Sequence, residues 1–284
     1  MQLLTKVLEN DHNIFMFGDQ HDGTVLSSHS GWRKLIEMMN SPYDGCSNNY
    51  GIDGGDMVES IMVDDKRFSP EMLKEPLPLE QMEQAIKNRE PIKQKLLAIL
   101  MGNHERKLWQ FGDITAKVCE KLGVDYGTYA AKIIVQDKHN RLMYKIFETH
   151  GSRSITSTAD DPKRRQVNME LILKRQLKFK AGDCAVMIKH HAHKLIACKP
   201  AIELYLTDNG EEIRQDYTHL AQNEIYIHPD SRWYGCAGSF LKLYGDGISG
   251  YAEIAEYDPV QLGFLVLVVR DRKIIELKPV VLNI

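Results

Sequence analysis

The sequence predicts an α/β fold, on two observations. Short apolar runs, among them Ile14 to Phe17, Tyr50 to Ile52 and Leu96 to Met101, each stop at glycine and polar residues, as strands do when they enter a turn. Between such runs lie stretches with helical periodicity, such as Trp32, Leu35, Ile36 and Met39 on one face. The chain has 284 residues and carries no Pro/Gly/Ser linker, low-complexity tract or internal repeat, so a single domain over 1–284 is expected.

Composition narrows the class. At 43% hydrophobic and 26% charged, the chain can bury a sizeable core. A net charge of −3 argues against coating nucleic acid by bulk charge, although a local basic patch is compatible with it. Cys46, Cys119, Cys184, Cys198 and Cys236 are scattered, odd in number and without a C-x-x-C pair, and Met1 to Asn13 lacks a signal-peptide apolar region. These features predict free thiols in a reducing cytoplasm. The longest clean apolar run, Phe264 to Val269, is too short to span a bilayer, so no membrane partner is expected.

In chain order, Ile14 to Phe17 is read as the first strand, ending at Gly18-Asp19-Gln20-His21. A helix then carries the Trp32 to Met39 face. Tyr50 to Ile52 leads into Asp53-Gly54-Gly55-Asp56. Residues 57–95 are irregular, with Pro70, Pro76, Pro78 and Pro91 interrupting helical patches such as Leu79 to Asn88, and read as an insertion near the site. Leu96 to Met101 reaches Gly102-Asn103-His104-Glu105. Asp113 is placed to cap a helix with Ile114, Val118 and Leu122 on one face, and Gly123 to end it. Lys132 to Val135 and Leu142 to Thr149 read as a hairpin ending at His150-Gly151. A basic segment from Lys163 to Lys180 holds a single acid, Glu170, with Val167, Leu171 and Leu177 as its expected buried face. Cys184 to Ile188 is a strand ending at His190-His191-Ala192-His193, and the rest alternates short strands with turns.

Five strand-like runs therefore end at residues of metal-ligand type: Asp19 with His21, Asp56, Asn103 with His104, His150, and His191 with His193. A lone aspartate or histidine at a strand end is ordinarily a cap or a satisfied surface group. Five such endings in one chain are better explained by a sheet that gathers them at one edge. Carboxylates, imidazoles and an amide oxygen suit Mn²⁺, Fe or Zn²⁺ better than Ca²⁺. The set is too large for one ion. Two ions sharing a carboxylate would use it, and a pair roughly 3.5–4 Å apart is the usual clamp for phosphoryl displacement.

The ordered set Asp19-x-His21, Gly55-Asp56-x-x-Glu59, Gly102-Asn103-His104-Glu105, His150-Gly151 and His191-x-His193 resembles the calcineurin-like metallophosphoesterase superfamily over roughly residues 14–194. The resemblance implies a four-layer αββα sandwich with two mixed central sheets, with strands of 200–284 completing the second sheet. It implies one divalent ion, Mn²⁺ in the first instance, held by Asp19, His21 and His193. It implies a second held by Asn103, His150 and His191, with Asp56 bridging. His104 matches the histidine that faces the scissile phosphate and Glu59 the carboxylate that orients it, while Glu105 is expected to make a structural hydrogen bond. His190 replaces the usual glycine of the last motif and is expected at the surface, the alternative being a hydrogen-bond donor behind the ligands. Glu59-Ser60-Ile61 stands where protein phosphatases carry Asp-Arg-Gly, which removes the expected phosphate-clamping arginine. The segments Ala237-Gly238-Ser239, Gly250-Tyr251-Ala252-Glu253 and Gly263 to Val268 are loosely similar to the superfamily's DNA-repair nucleases.

The function implied is hydrolysis of a phosphodiester by a hydroxide held between two ions, with His104 as proton donor and DNA among the candidate substrates. A phosphomonoesterase acting on a nucleotide or phosphoprotein is the alternative. A metal-scaffolded interaction surface without catalysis is disfavoured by the presence of His104. Arg164, Arg165, Lys174 and Arg175 are the expected contacts to a substrate backbone.

Overall fold

The computed structural model describes residues 1–220 and 222–283. In chain order its first half runs β1 (Gln2–Val7), β2 (His12–Phe17), α1 (His29–Asn40), β3 (Asn49–Asp53), α2 (Pro78–Arg89), β4 (Leu96–Ile99), α3 (Asn103–Lys107), α4 (Ile114–Leu122), β5 (Ala130–Gln136) and β6 (Leu142–Thr149). It continues with α5 (Pro162–Leu177), β7 (Val186–Lys189), β8 (Leu195–Cys198), β9 (Leu204–Asp208), β10 (Ile213–Tyr217), β11 (Trp233–Ala237), α6 (Tyr251–Ile254), β12 (Gly263–Arg270) and β13 (Lys273–Val281).

The fold is mixed α/β with two mixed sheets. One has the order β1-β5-β6-β7-β11-β8, the other β13-β12-β2-β3-β4, and β9 and β10 form a separate two-stranded hairpin. Strands β2, β3 and β4 are mutually parallel, as are β6, β7 and β11. The strands after residue 200 divide between the sheets instead of completing one: β11 joins the larger, β12 and β13 the smaller, and β9 pairs only with β10.

Side-chain alternation explains how the sheets pack. In β2, Ile14 and Met16 join a buried cluster that includes Val186 and Ile188 of the other sheet, whereas Phe15 and Phe17 face Trp32, Leu35 and Met39 of α1. β12 splits the same way, Leu265 and Leu267 on one side and Phe264 and Val266 on the other. Both faces of these strands are buried, so their sequences read as continuous apolar runs. Each fully buried phenylalanine contributes about 1.5–3 kcal/mol. A third cluster packs Leu173 and Leu177 of α5 onto Met187, Tyr234 and Cys236 of the larger sheet.

The helix signals hold where caps were visible. Asp113 accepts a hydrogen bond from the Ala116 amide at 2.9 Å, and Gly123 ends α4 at φ 69°. In the 57–95 segment the prolines start helical turns more than they break them. Pro78 opens α2 and Pro70 a short 3₁₀ turn, positions whose missing N–H would have had no helical partner. The face assigned to the basic helix is corrected: Val167 and Leu171 are exposed, and Leu173 and Leu177 are buried. Leu173 follows Leu171 by two residues, about 200° around the helix, so the two leucines cannot share a face. Strand β1 precedes the expected first strand. It lies at a sheet edge with only Leu4 buried, and carries no clear apolar run. No helix among the described residues is long and apolar enough to cross a membrane.

The buried Arg89 ties α2 to the end of β3. Its Nε donates to Asp53 at 2.7 Å and its Nη1 to Gln20 at 3.0 Å, while the guanidinium lies 4.7 Å from the Trp32 ring centre. Replacing Arg89 by methionine keeps most of the volume and leaves the Asp53 carboxylate buried without a cation. Arg89→Met is expected to lower stability by about 3–5 kcal/mol, read from urea unfolding.

Candidate metal centre

The residues singled out from sequence meet at the C-terminal ends of two sets of parallel strands, not one. Asp19, His21, Asp56, Asn103 and His104 follow β2, β3 and β4 in the smaller sheet, while His150, His191 and His193 follow β6 and β7 in the larger. Three groups offer ligand atoms within 4.8 Å of one another and could hold a metal ion: Asp19/His21/His193, Asp56/His150/His191, and His21/Glu59/His104. Asp56 Oδ2 lies 3.2 Å from His150 Nε2 and 3.9 Å from His21 Nε2, between the first two groups. Asn103 Oδ1 lies 3.0 Å from His150 Nε2 and 2.6 Å from His191 Nδ1. His193 Nε2 is 3.3 Å from Asp19 Oδ1.

Two further observations fit cation ligation. Asp19 Oδ1 and His21 Nε2 are buried and make no hydrogen bond. Such atoms are costly to bury unless another partner satisfies them. Asp19, His21, Asp56, His191 and His193 all have positive φ, between 50° and 69°. Left-handed backbone at non-glycine residues is held only where the surroundings over-determine it, and it concentrates at functional sites.

The electrostatics point the same way. Burial alone would raise Asp19, but His193 and His150 hold it at about 2. Burial likewise opposes ionisation of Asp56, and His150, His104 and His21 outweigh it, so its carboxyl falls well below the usual range. Burial disfavours a charged His150, yet Asp56 draws a proton onto it and lifts it to about 9. His191, half-buried and facing His150, is pushed down to about 4 by desolvation and by the His150 charge. The field around Asp56 thus favours positive charge.

Glu59 takes a role different from the one its motif implied. Its carboxylate accepts from His21 Nδ1 at 2.8 Å and stands 4.0 Å from His104 Nδ1, while its main-chain carbonyl is the hydrogen-bond partner of His104 Nδ1. It therefore orients a candidate ligand directly, and His104 through the backbone. Burial lowers the His104 pKa, but Asp56 and Glu59 more than offset this, and the net shift is upward.

His190 is corrected from surface to core. It is fully buried, with Nε2 2.8 Å from Glu148 Oε1, and a Cβ on Gly54 would lie 2.2 Å from its ring. The ring fills the space above a glycine turn, a packing role that the motif's usual glycine gave no reason to expect. Glu105 accepts from four amides: Gly102 at 2.8 Å, Asp56 at 3.1 Å, Met57 at 2.5 Å and Val58 at 3.1 Å. Burial and the neighbouring Asp56 charge nevertheless push its carboxyl up to about 7.

A cleft of about 180 Å³ opens over the candidate ligands and is walled by Arg67, Leu241 and Tyr251. Arg67 was not foreseen. It comes from the irregular 57–95 segment, and its Nε and Nη2 donate to Asp65 at 3.0 and 2.8 Å. No motif surrounds it, and only the expectation that this insertion lies near the site pointed towards it. The basic helix is not part of the cleft. None of Arg164, Arg165, Lys174 and Arg175 lines it, because α5 lies on the outer face of the larger sheet; Lys174 and Arg175 line a separate groove with Asp230 and His228.

No protein-family model matches the chain, and neither does any curated protein. Among solved structures, a conserved uncharacterized protein from Streptococcus pneumoniae TIGR4, described as a predicted phosphoesterase, is 12% identical with a TM-score of 0.30, over 95% of this chain and 97% of that one. The similarity is too slight to bear on fold or chemistry.

Because the Glu105 carboxylate is the common acceptor for two turns, Glu105→Ala is expected to cost at least about 3 kcal/mol in thermal or urea unfolding under chelator. Glu105→Gln keeps one acceptor oxygen and should lose roughly half as much. Equal losses would show that one acceptor oxygen alone contributes nothing and that the two turns need both.

Proposed function

We propose that this protein is a metal-dependent phosphoric ester hydrolase acting on a phosphodiester. One observation carries the reading: two largely buried groups of carboxylate and imidazole ligands meet at one carboxylate, Asp56, with His104 beside them. In this reading Asp19, His21 and His193 hold one divalent ion, Asn103, His150 and His191 hold a second, and Asp56 serves both. Mn²⁺ fits the mixed oxygen and nitrogen donors, as do Fe and Zn²⁺. Ions bound there supply Lewis-acid neutralisation of the phosphoryl oxygens and lower the pKa of a water.

The chain's own groups supply the rest. Asp19 and Asp56 stay ionised, which ligation requires. His104, its ring fixed by the Glu59 carbonyl and its pKa raised by Asp56 and Glu59, holds a proton to give to the departing oxygen. Arg67, restrained by Asp65, brings a fixed positive charge to the cleft wall and takes the place of the clamp missing from the motif. When a phosphodiester is hydrolysed, one P–O bond breaks and an alkoxide departs, and that oxygen takes the proton His104 holds. Arg164, Arg165, Lys174 and Arg175 have no part in the cleft chemistry. The three apolar clusters support the four-layer αββα stack in one domain, and the five buried free cysteines support a reducing cytoplasm.

Asp56→Asn should lose more bound metal than substitution of any other ligand, measured by elemental analysis after dialysis against Mn²⁺. Unchanged stoichiometry would remove the shared-carboxylate assignment.

His104→Ala should retain both ions. Its rate on a diester with a poor leaving group should fall by about 10²–10⁴, and far less on a nitrophenyl diester, whose leaving group needs little protonation. Equal losses on the two substrates would mean that His104 positions phosphate instead. Turnover confined to a nitrophenyl monoester would replace the diesterase reading by a monoesterase.

A further inference from the structure

A groove of about 540 Å³ adjoins the candidate metal centre, and nothing in the proposed cleft chemistry uses it. Its walls include Tyr129, Gly151, Arg153, Lys180 and Lys189, and among the described residues no carboxylate lines it. Gly151 directly follows His150, and Lys189 stands two residues before His191, so the groove starts where the ligands of the larger sheet end.

Lys189 is the informative residue. It is 3% exposed, and among the described residues neither it nor Arg153 nor Lys180 makes an ion pair. Its Nζ lies 3.0 Å from the position a Cβ on Gly151 would take, so the ammonium sits against the Gly151 backbone, which turns there at φ 81°. A side chain at Gly151 would collide with it. Buried cations are normally paired. Two cations that share a groove without a carboxylate make a place where an anion is favoured.

Tyr129 lines the groove and touches a candidate ligand. Its hydroxyl donates to the Gly151 carbonyl at 2.8 Å, and its ring meets His150 edge to face at 5.6 Å. A half-buried aromatic beside a line of bases is the pairing that holds single-stranded nucleic acid, by stacking a base and tracking the phosphates.

We propose that this groove binds a flanking phosphate of a single-stranded nucleic acid whose neighbouring linkage lies in the metal cleft, with Lys189 and Arg153 on the phosphate and Lys180 extending the track. The inference deepens the phosphodiesterase reading and rests on it for the position of the scissile linkage, while anion binding by the groove stands apart from catalysis.

The test is fluorescence anisotropy with a labelled 12-nucleotide single strand in EDTA, so that binding is read without turnover. Wild type should bind with salt-dependent affinity. Arg153 and Lys180 are exposed, so the pair Arg153→Gln/Lys180→Gln should fold normally, lose at least about tenfold in affinity and flatten the log–log salt slope by about 1.4, two phosphate contacts' worth for a single strand. Lys189→Met, checked by thermal melting, should weaken binding in the same direction. Arg164→Gln/Arg165→Gln removes equal charge outside the groove and should change affinity less than about twofold. Equal losses from the two double variants, or no binding by wild type at low salt, would overturn the proposal. Displacement by tripolyphosphate as effective as by unlabelled strand would overturn nucleic acid as the occupant. Hydrolysis with Mn²⁺ is scored separately. Strand binding without turnover of the strand or of a nitrophenyl diester sinks the phosphodiesterase reading and keeps the groove, whereas diester turnover without strand binding does the reverse.

Discussion

Four backbone amides from two different turns converge on one carboxylate, and the geometry of the centre depends on it. Glu105 accepts from Gly102 at the end of β4 and from Asp56, Met57 and Val58 after β3. This fixes the two turns against each other at backbone distance. A Cβ on Gly55 would come within 2.4 Å of the Gly102 amide, so no larger residue fits there. Asp56 is thereby held at φ 51°, and its Oδ1 accepts from the His104 amide at 2.8 Å. The side chain that lies between both ligand groups is thus positioned by a network that uses only one of its oxygens, and Oδ2 is left to face His21 and His150.

That arrangement is costly by itself. Buried ionised carboxylates, left-handed aspartates and histidines, and polar atoms without partners all oppose folding. The opposing contribution comes from elsewhere: apolar clusters on both faces of β2 and β12, and the buried Arg89 that neutralises Asp53 one turn below the site. Strain at the strand ends and dense packing along the strands are two sides of one design, in which rigid elements hold groups where those groups alone would not stay.

What the sequence made legible follows from the range of the forces involved. Local signals were readable: the Asp113 cap and Gly123 stop of α4, the α1 apolar face, and strand runs that end in ligand-type residues. Non-local signals were not. Edge strand β1 exposes most of its side chains and has no apolar run to mark it. The pairing of Glu59 with His21 instead of His104 depends on how two turns fold over one another. His190 is buried because Gly54 leaves a space beneath it, a fact about a residue 136 positions away. Arg67 reaches the cleft through an insertion without motif or periodicity. In α5, five bases in a helix looked like a substrate face, but its apolar residues fall on two stripes, and only tertiary packing selects which is buried.

The two sheets meet differently along their length. Through most of the interface they share apolar side chains, which are non-directional and tolerate small shifts. At the C-terminal edge the contact becomes polar and specific. His150 Nδ1 donates to the Gly54 carbonyl at 2.8 Å, the His191 amide to Asp19 Oδ2 at 3.1 Å, and His190, held by Glu148, packs on Gly54. Each of these contacts joins a strand end of the larger sheet to a strand end of the smaller. A rotation of one sheet over the other that the apolar interface would absorb would break them together. The register between the sheets is therefore set where the ligands meet, and residues such as His190 and Glu148, which belong to neither ligand group, help decide whether the two groups can share Asp56.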